Sequence, residues 1–212
     1  MTPVEASIPD RPTQTDRRAR TRAALLKSAA QKMSRYGYAD MVLKHVASNA
    51  GYTRGALYHL FASKEGLALA VVDWVEKSWL DAVGFLLADE TDPVGTLIAL
   101  ARGTAVYSRR DVGRVLTRLR TEFAGTGHPV GKAANETVGH IVDDVARLIT
   151  AGRTAGAIPP GPPARVVALA YLGSVEGVVN QLGDQAPFDA LFAVKVTLGV
   201  LGLPPMSETG NA

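Results

Sequence analysis

The chemistry that stands out in this chain sits between Gly51 and Phe61. Thr53, Arg54, Gly55, Tyr58 and His59 share one face of a short helical stretch, while Leu57 and Phe61, one turn apart, mark the opposite face. The outer face offers hydrogen-bonding groups beside a glycine small enough for another backbone to come close. Such a helix suits the major groove of DNA, where its first turn meets base edges and the preceding helix crosses the phosphates. The Arg54 guanidinium has the geometry to read guanine O6 and N7 bidentately, and a phosphate contact is the rival reading.

A helix this short needs neighbours to hold it. The pattern predicts a first helix from about Asp16 to Tyr36, capped by Thr15 or Asp16, with Leu26, Ala29, Ala30 and Met33 at helical spacing and Gly37 at its end. A second helix follows, capped by Asp40, with Leu43, Val46, Ala47 and Ala50 on one face. Gly51 makes the turn and Thr53 caps the third helix. Ser63 caps a long fourth helix expected from Lys64 to about Ala88. Five more are expected near 93–110, 111–124, 130–156, 163–183 and 187–203, separated by the Gly125–Pro129 loop and the proline-rich run Ile158–Pro163. No strand-like alternation occurs. The expected fold is all-α, with about nine helices: a disordered arm over 1–15, a three-helix DNA-binding head over 16–63, a ligand-binding and dimerisation body over 64–203, and a flexible tail over 204–212.

Composition narrows the function. The absence of cysteine removes disulfides, thiolate metal sites and cysteine nucleophiles. Residues 1–65 hold 11 Lys and Arg against 5 Asp and Glu, whereas residues 66–212 hold 12 against 15. A basic head on a mildly acidic body points to nucleic acid at one end. The first residues lack the apolar core of a secretion signal and no run is long enough for a membrane span, so a cytoplasmic location is expected.

The ordered series Ala29-Ala30, Gly37-Tyr38, Val46-Ala47, Ala50-Gly51, Leu57-Tyr58, Phe61 and Ser63-Lys64-Glu65 resembles the head of TetR/AcrR-type transcriptional regulators from about Arg20 to Val72. The resemblance implies that Tyr58, Lys64 and Thr53 contact phosphate and fix register without reading sequence. Lys44 and the run Arg17, Arg18, Arg20 and Arg22 are then backbone or minor-groove contacts, or a solvated helix face. Two departures stand out. Leu60 occupies a position where relatives often carry a polar aromatic or histidine, and Met41-Val42 replaces a Thr/Ser pair, which shifts the expected cap to Asp40. His45 is expected to face solvent.

In the body, the segments 163–183 and 187–203 are apolar on more than one face, and Gly173, Gly177, Gly199 and Gly202 permit close helix approach. A second subunit is expected to cover them. In TetR relatives the corresponding helices and their symmetry mates form a four-helix dimer interface, which sets two reading heads on one double-stranded DNA. Trp74, Trp79, Phe85, Tyr107, Phe123 and Tyr171, with Arg118, Glu176 and Asn180, are candidates for an effector pocket or are core. Glu176, a carboxylate in an apolar helix, needs a partner: a ligand, or an arginine across the interface. His140, Asp143 and Asp144 have a metal-like spacing, but three groups on one helix do not converge, and an exposed polar face is the reading. No catalytic motif and no cofactor site is present in the pattern. The expected function is a repressor released from a palindromic operator by a small, largely apolar effector. The alternative is a DNA-binding regulator without one, controlled by a protein partner or by abundance.

Overall fold

The computed structural model describes residues 13–89 and 91–205. Among the described residues the regular structure is helical: α1 (Gln14–Tyr36), α2 (Leu43–Asn49), α3 (Arg54–Leu60), α4 (Lys64–Ala82), a 3-10 helix (Gly84–Ala88), α5 (Pro93–Ser108), α6 (Val115–Glu122), α7 (Pro129–Thr154), α8 (Ala164–Leu182) and α9 (Phe188–Leu201). No described helix is long and apolar enough to cross a membrane.

The head is built by caps and a few buried side chains. Thr13 and Asp16 form a reciprocal box: the Asp16 amide donates to the Thr13 hydroxyl at 3.1 Å, and the Thr13 amide donates to the Asp16 carboxylate at 2.9 Å. The cap therefore lies two residues ahead of Thr15, and residues 13–15 belong to this helix start; the rest of the expected arm, 1–12, and residues 206–212 of the expected tail lie outside the described residues. Asp40 caps nothing. Val42 occupies the cap of α2 and supplies no side-chain acceptor, so tertiary contacts stabilise this helix: Val46 and Ala47 are buried, and the Ser28 hydroxyl of α1 donates to the Val46 carbonyl at 2.9 Å. Thr53 and Ser63 cap α3 and α4, accepting from the Ala56 and Gly66 amides at 3.2 and 2.9 Å. Gly51 takes a φ of +78°, which the tight turn between α2 and α3 requires.

The fourth helix stops at Ala82, short of the expected Ala88. At Gly84 a Cβ would stand 2.7 Å from Leu80 Cδ2, and the chain tightens there into a 3-10 turn. That turn buries Leu87 and leaves Phe85 pointing outward.

Two apolar cores result. The first takes Leu25 and Met33 from α1, Val46 from α2 and Leu57 from α3, and continues without a break into Leu67 and Val71 of α4, Val115 and Leu119 of α6, and Val130 of α7. The second joins the far end of α4 to α5, α7, α8 and α9 through Trp79, Leu97, Leu148, Ile149, Tyr171 and Leu201. The expected division at residues 63 and 64 thus runs through one continuous core. On the outer side of α8 and α9 a ridge of Val166, Leu169, Phe188, Leu191 and Phe192 stays exposed. Nothing lies within 4 Å of where a Cβ would stand on Gly173, Gly177 or Gly199.

One ion pair joins the end of α5 to the start of α9. Arg109 grips the fully buried Asp189 with two bonds, Nε to Oδ2 at 2.7 Å and Nη2 to Oδ1 at 2.5 Å. The Arg109 hydrogen bond is the main reason that Asp189 titrates below the ordinary carboxylate range, against the opposing effect of burial. Arg109→Ala would leave the carboxylate buried with only backbone amides as partners, and urea unfolding should show a loss of about 3 kcal/mol. Because the folded pKa is depressed, the stabilisation is complete above the ordinary carboxylate range and disappears as pH falls through the folded value. The stability gap between the wild-type chain and Asp189→Asn should therefore close in acid; a gap independent of pH would contradict the pairing.

Candidate nucleic-acid interface and body cavity

The outer face of α3 consists of the residues singled out by the sequence. Thr53, Arg54, Gly55, Tyr58 and His59 are all exposed, and Leu57, fully buried, anchors the helix from behind. Arg54 and Tyr58 organise each other: the guanidinium lies 5.3 Å from the ring centroid and Nη2 donates to the phenol oxygen at 3.2 Å. A cation and a hydroxyl are thereby held together on a helix that carries no carboxylate of its own. Lys44 and His45 of α2 are exposed, as are Arg17, Arg18 and Arg20 of α1. Arg20 also lies close enough to Asp16 to contribute, after the Thr13 hydrogen bonds, to holding that carboxyl below its ordinary range. Arg22 differs from the rest of its run, with its guanidinium 5.1 Å from the Phe61 ring centroid.

Lys64, which the resemblance makes a phosphate contact, is half-buried at the start of α4. Its ammonium donates to the Ala39 carbonyl at 2.8 Å and lies 4.8 Å from the Tyr38 ring centroid. It ties the start of α4 to the turn after α1. Leu60, where a polar contact is missing, packs partly buried against the first core, and Met41 is buried in it. These two departures from the familiar pattern therefore serve packing.

A partly open cavity of about 110 Å³ lies between α4, α5, α6, α7 and α8. Its walls are mostly apolar, with Val75, Leu116, Val138 and Val175 among them, and its polar end is built on Glu176. The Thr117 hydroxyl donates to Glu176 at 2.5 Å, and Arg120 Nη1 stands 3.6 Å from the same carboxylate. The partner of Glu176 is thus an arginine of its own chain; none across an interface is needed. Outside this group lies an open depression that shares Thr117, Arg120, Glu176 and Asn180 with the cavity.

Of the nine expected pocket residues, Trp79, Tyr107, Glu176 and Asn180 line this cavity. Five do not. Trp74 packs against the first core away from the cavity. Phe85 is 64% exposed on the 3-10 turn. Arg118 is exposed, with Nε near Gly37. Phe123 stacks on His128 with ring centroids 4.1 Å apart. Tyr171 is buried core, its hydroxyl donating to the Leu97 carbonyl at 2.8 Å, and burial pushes its pKa far up. The reverse omission is Thr117 and Arg120, which meet Glu176 only in three dimensions. His140, Asp143 and Asp144 do not converge: His140 approaches Glu76 at 3.5 Å, Asp143 pairs with Arg165, and Asp144 pairs with Arg147 at 2.9 Å. Among the described residues no three acidic or histidine groups are placed to hold a metal.

Residues 25–71 match the model of a family described as bacterial regulatory proteins, tetR family. Over 165 residues the chain is 29% identical to the A-factor receptor protein of Streptomyces griseus, covering 76% of this chain and 55% of that one. It therefore spans little more than half of that relative. Over 190 residues it is 28% identical to the HTH-type transcriptional regulator EthR of Mycolicibacterium smegmatis, covering 89% of this chain and 85% of the relative. Among solved structures, AibR in complex with isovaleryl coenzyme A and operator DNA superposes with a TM-score of 0.69 at 20% identity, over 87% of this chain and all of that one.

The α3 surface makes a specific prediction. Arg54→Ala should cost about 1–3 kcal/mol on a preferred duplex and narrow its advantage over random DNA. Fluorescence anisotropy on the two duplexes checks it, and equal losses on both would remove Arg54 from base reading.

Proposed function

We propose that this chain, which belongs to the TetR family of DNA-binding transcriptional regulators, acts as a homodimeric repressor that leaves a palindromic operator when a small, largely apolar effector enters the body. The observation that carries this reading is the pairing of an outward α3 face, which has no carboxylate of its own, with a largely apolar cavity in a body whose apolar core is continuous with that of the head. Arg54 reads bases. Thr53 and Tyr58 hold phosphate beside Gly55 and His59, and Lys44 with Arg17, Arg18 and Arg20 extends the basic surface along the backbone. Not being an enzyme, the protein acts only through differences in affinity.

The dimer rests on the exposed ridge of α8 and α9. Five large apolar side chains on two adjacent helices, beside glycines open to close approach, favour a second copy packed in two-fold symmetry. Two α3 helices would then meet successive major grooves about 34 Å apart or a multiple of it. Leu191→Glu should convert the dimer to monomer in sedimentation and abolish preference for a palindrome, while weak binding to bulk DNA persists. A dimer that survives this change would move the interface elsewhere.

The effector reading draws on the cavity and on one relative. AibR holds isovaleryl coenzyme A, so this architecture accommodates a ligand in that protein. At about 110 Å³ the present cavity is far smaller than the roughly 300–1,000 Å³ of a typical ligand site, so a larger effector must open it. That small size is also what favours the second reading, a regulator governed by a protein partner or by its abundance. A thermal-shift screen of small apolar compounds, followed by titration of each hit into the protein–DNA complex, separates the two. A hit that raises the melting temperature should release DNA, with a coupling of about 1–3 kcal/mol. Hits that stabilise the protein and leave DNA affinity unchanged would refute effector control.

A further inference from the structure

The eight-residue helix α6 touches both the cavity and the head. Leu116, Thr117 and Arg120 line the cavity. At its last residue the Glu122 carboxylate reaches across to the turn after α1: the Tyr38 amide donates to Oε2 at 2.7 Å and the Ala39 amide donates to Oε1 at 2.6 Å. Both bonds are charge-assisted, and both satisfy amides that no helix pairs. Gly37 is required twice over at this point. Its φ of +80° lies in the region that favours glycine, and a Cβ there would stand 2.5 Å from Glu122 Oε2. The next residue, Phe123, continues the contact, its ring edge-on to Tyr38 at 5.3 Å and stacked on His128. On the other side of the turn, Lys64 holds the Ala39 carbonyl.

Turns flank α6 on both sides. A non-helical stretch containing Gly113 precedes it, and the loop after it contains Gly125 and Gly127, both at positive φ. This short helix between two turns is bonded to Glu176 near its middle and to the head at its end, and its Val115 and Leu119 lie in the same apolar core as α1–α3, so α6 and the head are packed together.

We propose that Glu122 is the positioning residue that makes the reading head follow α6: its carboxylate locks the Gly37–Ala39 turn, so a displacement of α6 at the cavity becomes a rotation of α1–α3. The relay from the cavity rests on the effector reading above; the lock between Glu122 and the turn does not.

The chain contains no cysteine, so a single Lys27→Cys substitution on the exposed side of α1 gives one spin label per head. In the full-length dimer, the distance between labels should be narrowly distributed. Glu122→Ala should broaden it while circular dichroism shows the helices intact, and Glu122→Gln, which keeps an uncharged acceptor, should fall between. Gly37→Ala, which displaces the carboxylate from the other side, should reproduce the broadening. Val138→Trp, filling the cavity from within, should shift the mean distance in the parent chain and leave it unshifted in the Glu122→Ala chain. A folded Glu122→Ala protein with an unchanged distribution, or an equal Val138→Trp shift in both chains, overturns the proposal. A Val138→Trp protein without a shift, alongside a broadened Glu122→Ala, would sink the cavity reading and leave the lock standing. If the variants fail to fold, or no distance between labels appears, amide exchange in the unmodified protein decides. The Tyr38 and Ala39 amides should be protected although they lie outside any helix, and free exchange at both refutes the lock.

Discussion

A recognition surface of seven residues cannot support itself, and the whole head is arranged around that constraint. α3 buries one side chain of its own, Leu57, and ends on the buried Phe61. Its rigidity therefore comes from what lies behind it: α1, α2 and the start of α4, and beyond them α6 and α7 in the same apolar core. That continuity has two consequences. The outer face of α3 is freed from any packing duty, so polar and small residues can occupy it. The orientation of that face is also tied mechanically to the body, because the core contains side chains from both.

The rest of the body acts as a frame for this arrangement. The Arg109–Asp189 clamp fixes α9 against the end of α5, and Tyr171 anchors α8 to α5 through the Leu97 carbonyl. These buried polar contacts set the relative pitch of α8 and α9, and with it the shape of the apolar ridge they present. The cavity lies where the two cores meet: Val75 on its wall belongs to the first, Trp79 and Val175 to the second.

What could be read in the sequence was what short-range chemistry determines. Thr53 and Ser63 act as caps, and Gly37 and Gly51 as turn glycines, because each needs only its own neighbours. The exposed face of α3 was legible from helical spacing for the same reason. The failures share a different cause. Thr117 finds Glu176 across 59 residues, and that partner leaves no local trace. Aromatic identity alone could not separate Trp79 on the cavity wall from Phe85 in solvent, since a single glycine-induced turn divides them. Asp40 looked like a cap by type, yet α2 starts later, where burial of Val46 and Ala47 outweighs the missing side-chain bond.

On the function proposed, α3 enters the major groove once in each copy of a dimer. Interference by methylation tests it directly, because dimethyl sulfate marks guanine N7 in the major groove and adenine N3 in the minor groove. On a duplex enriched from random DNA by the purified protein, guanine N7 methylation should block binding in two clusters about 10 base pairs apart, or a multiple of that. Interference confined to adenine N3, or spread evenly without clusters, would contradict the account.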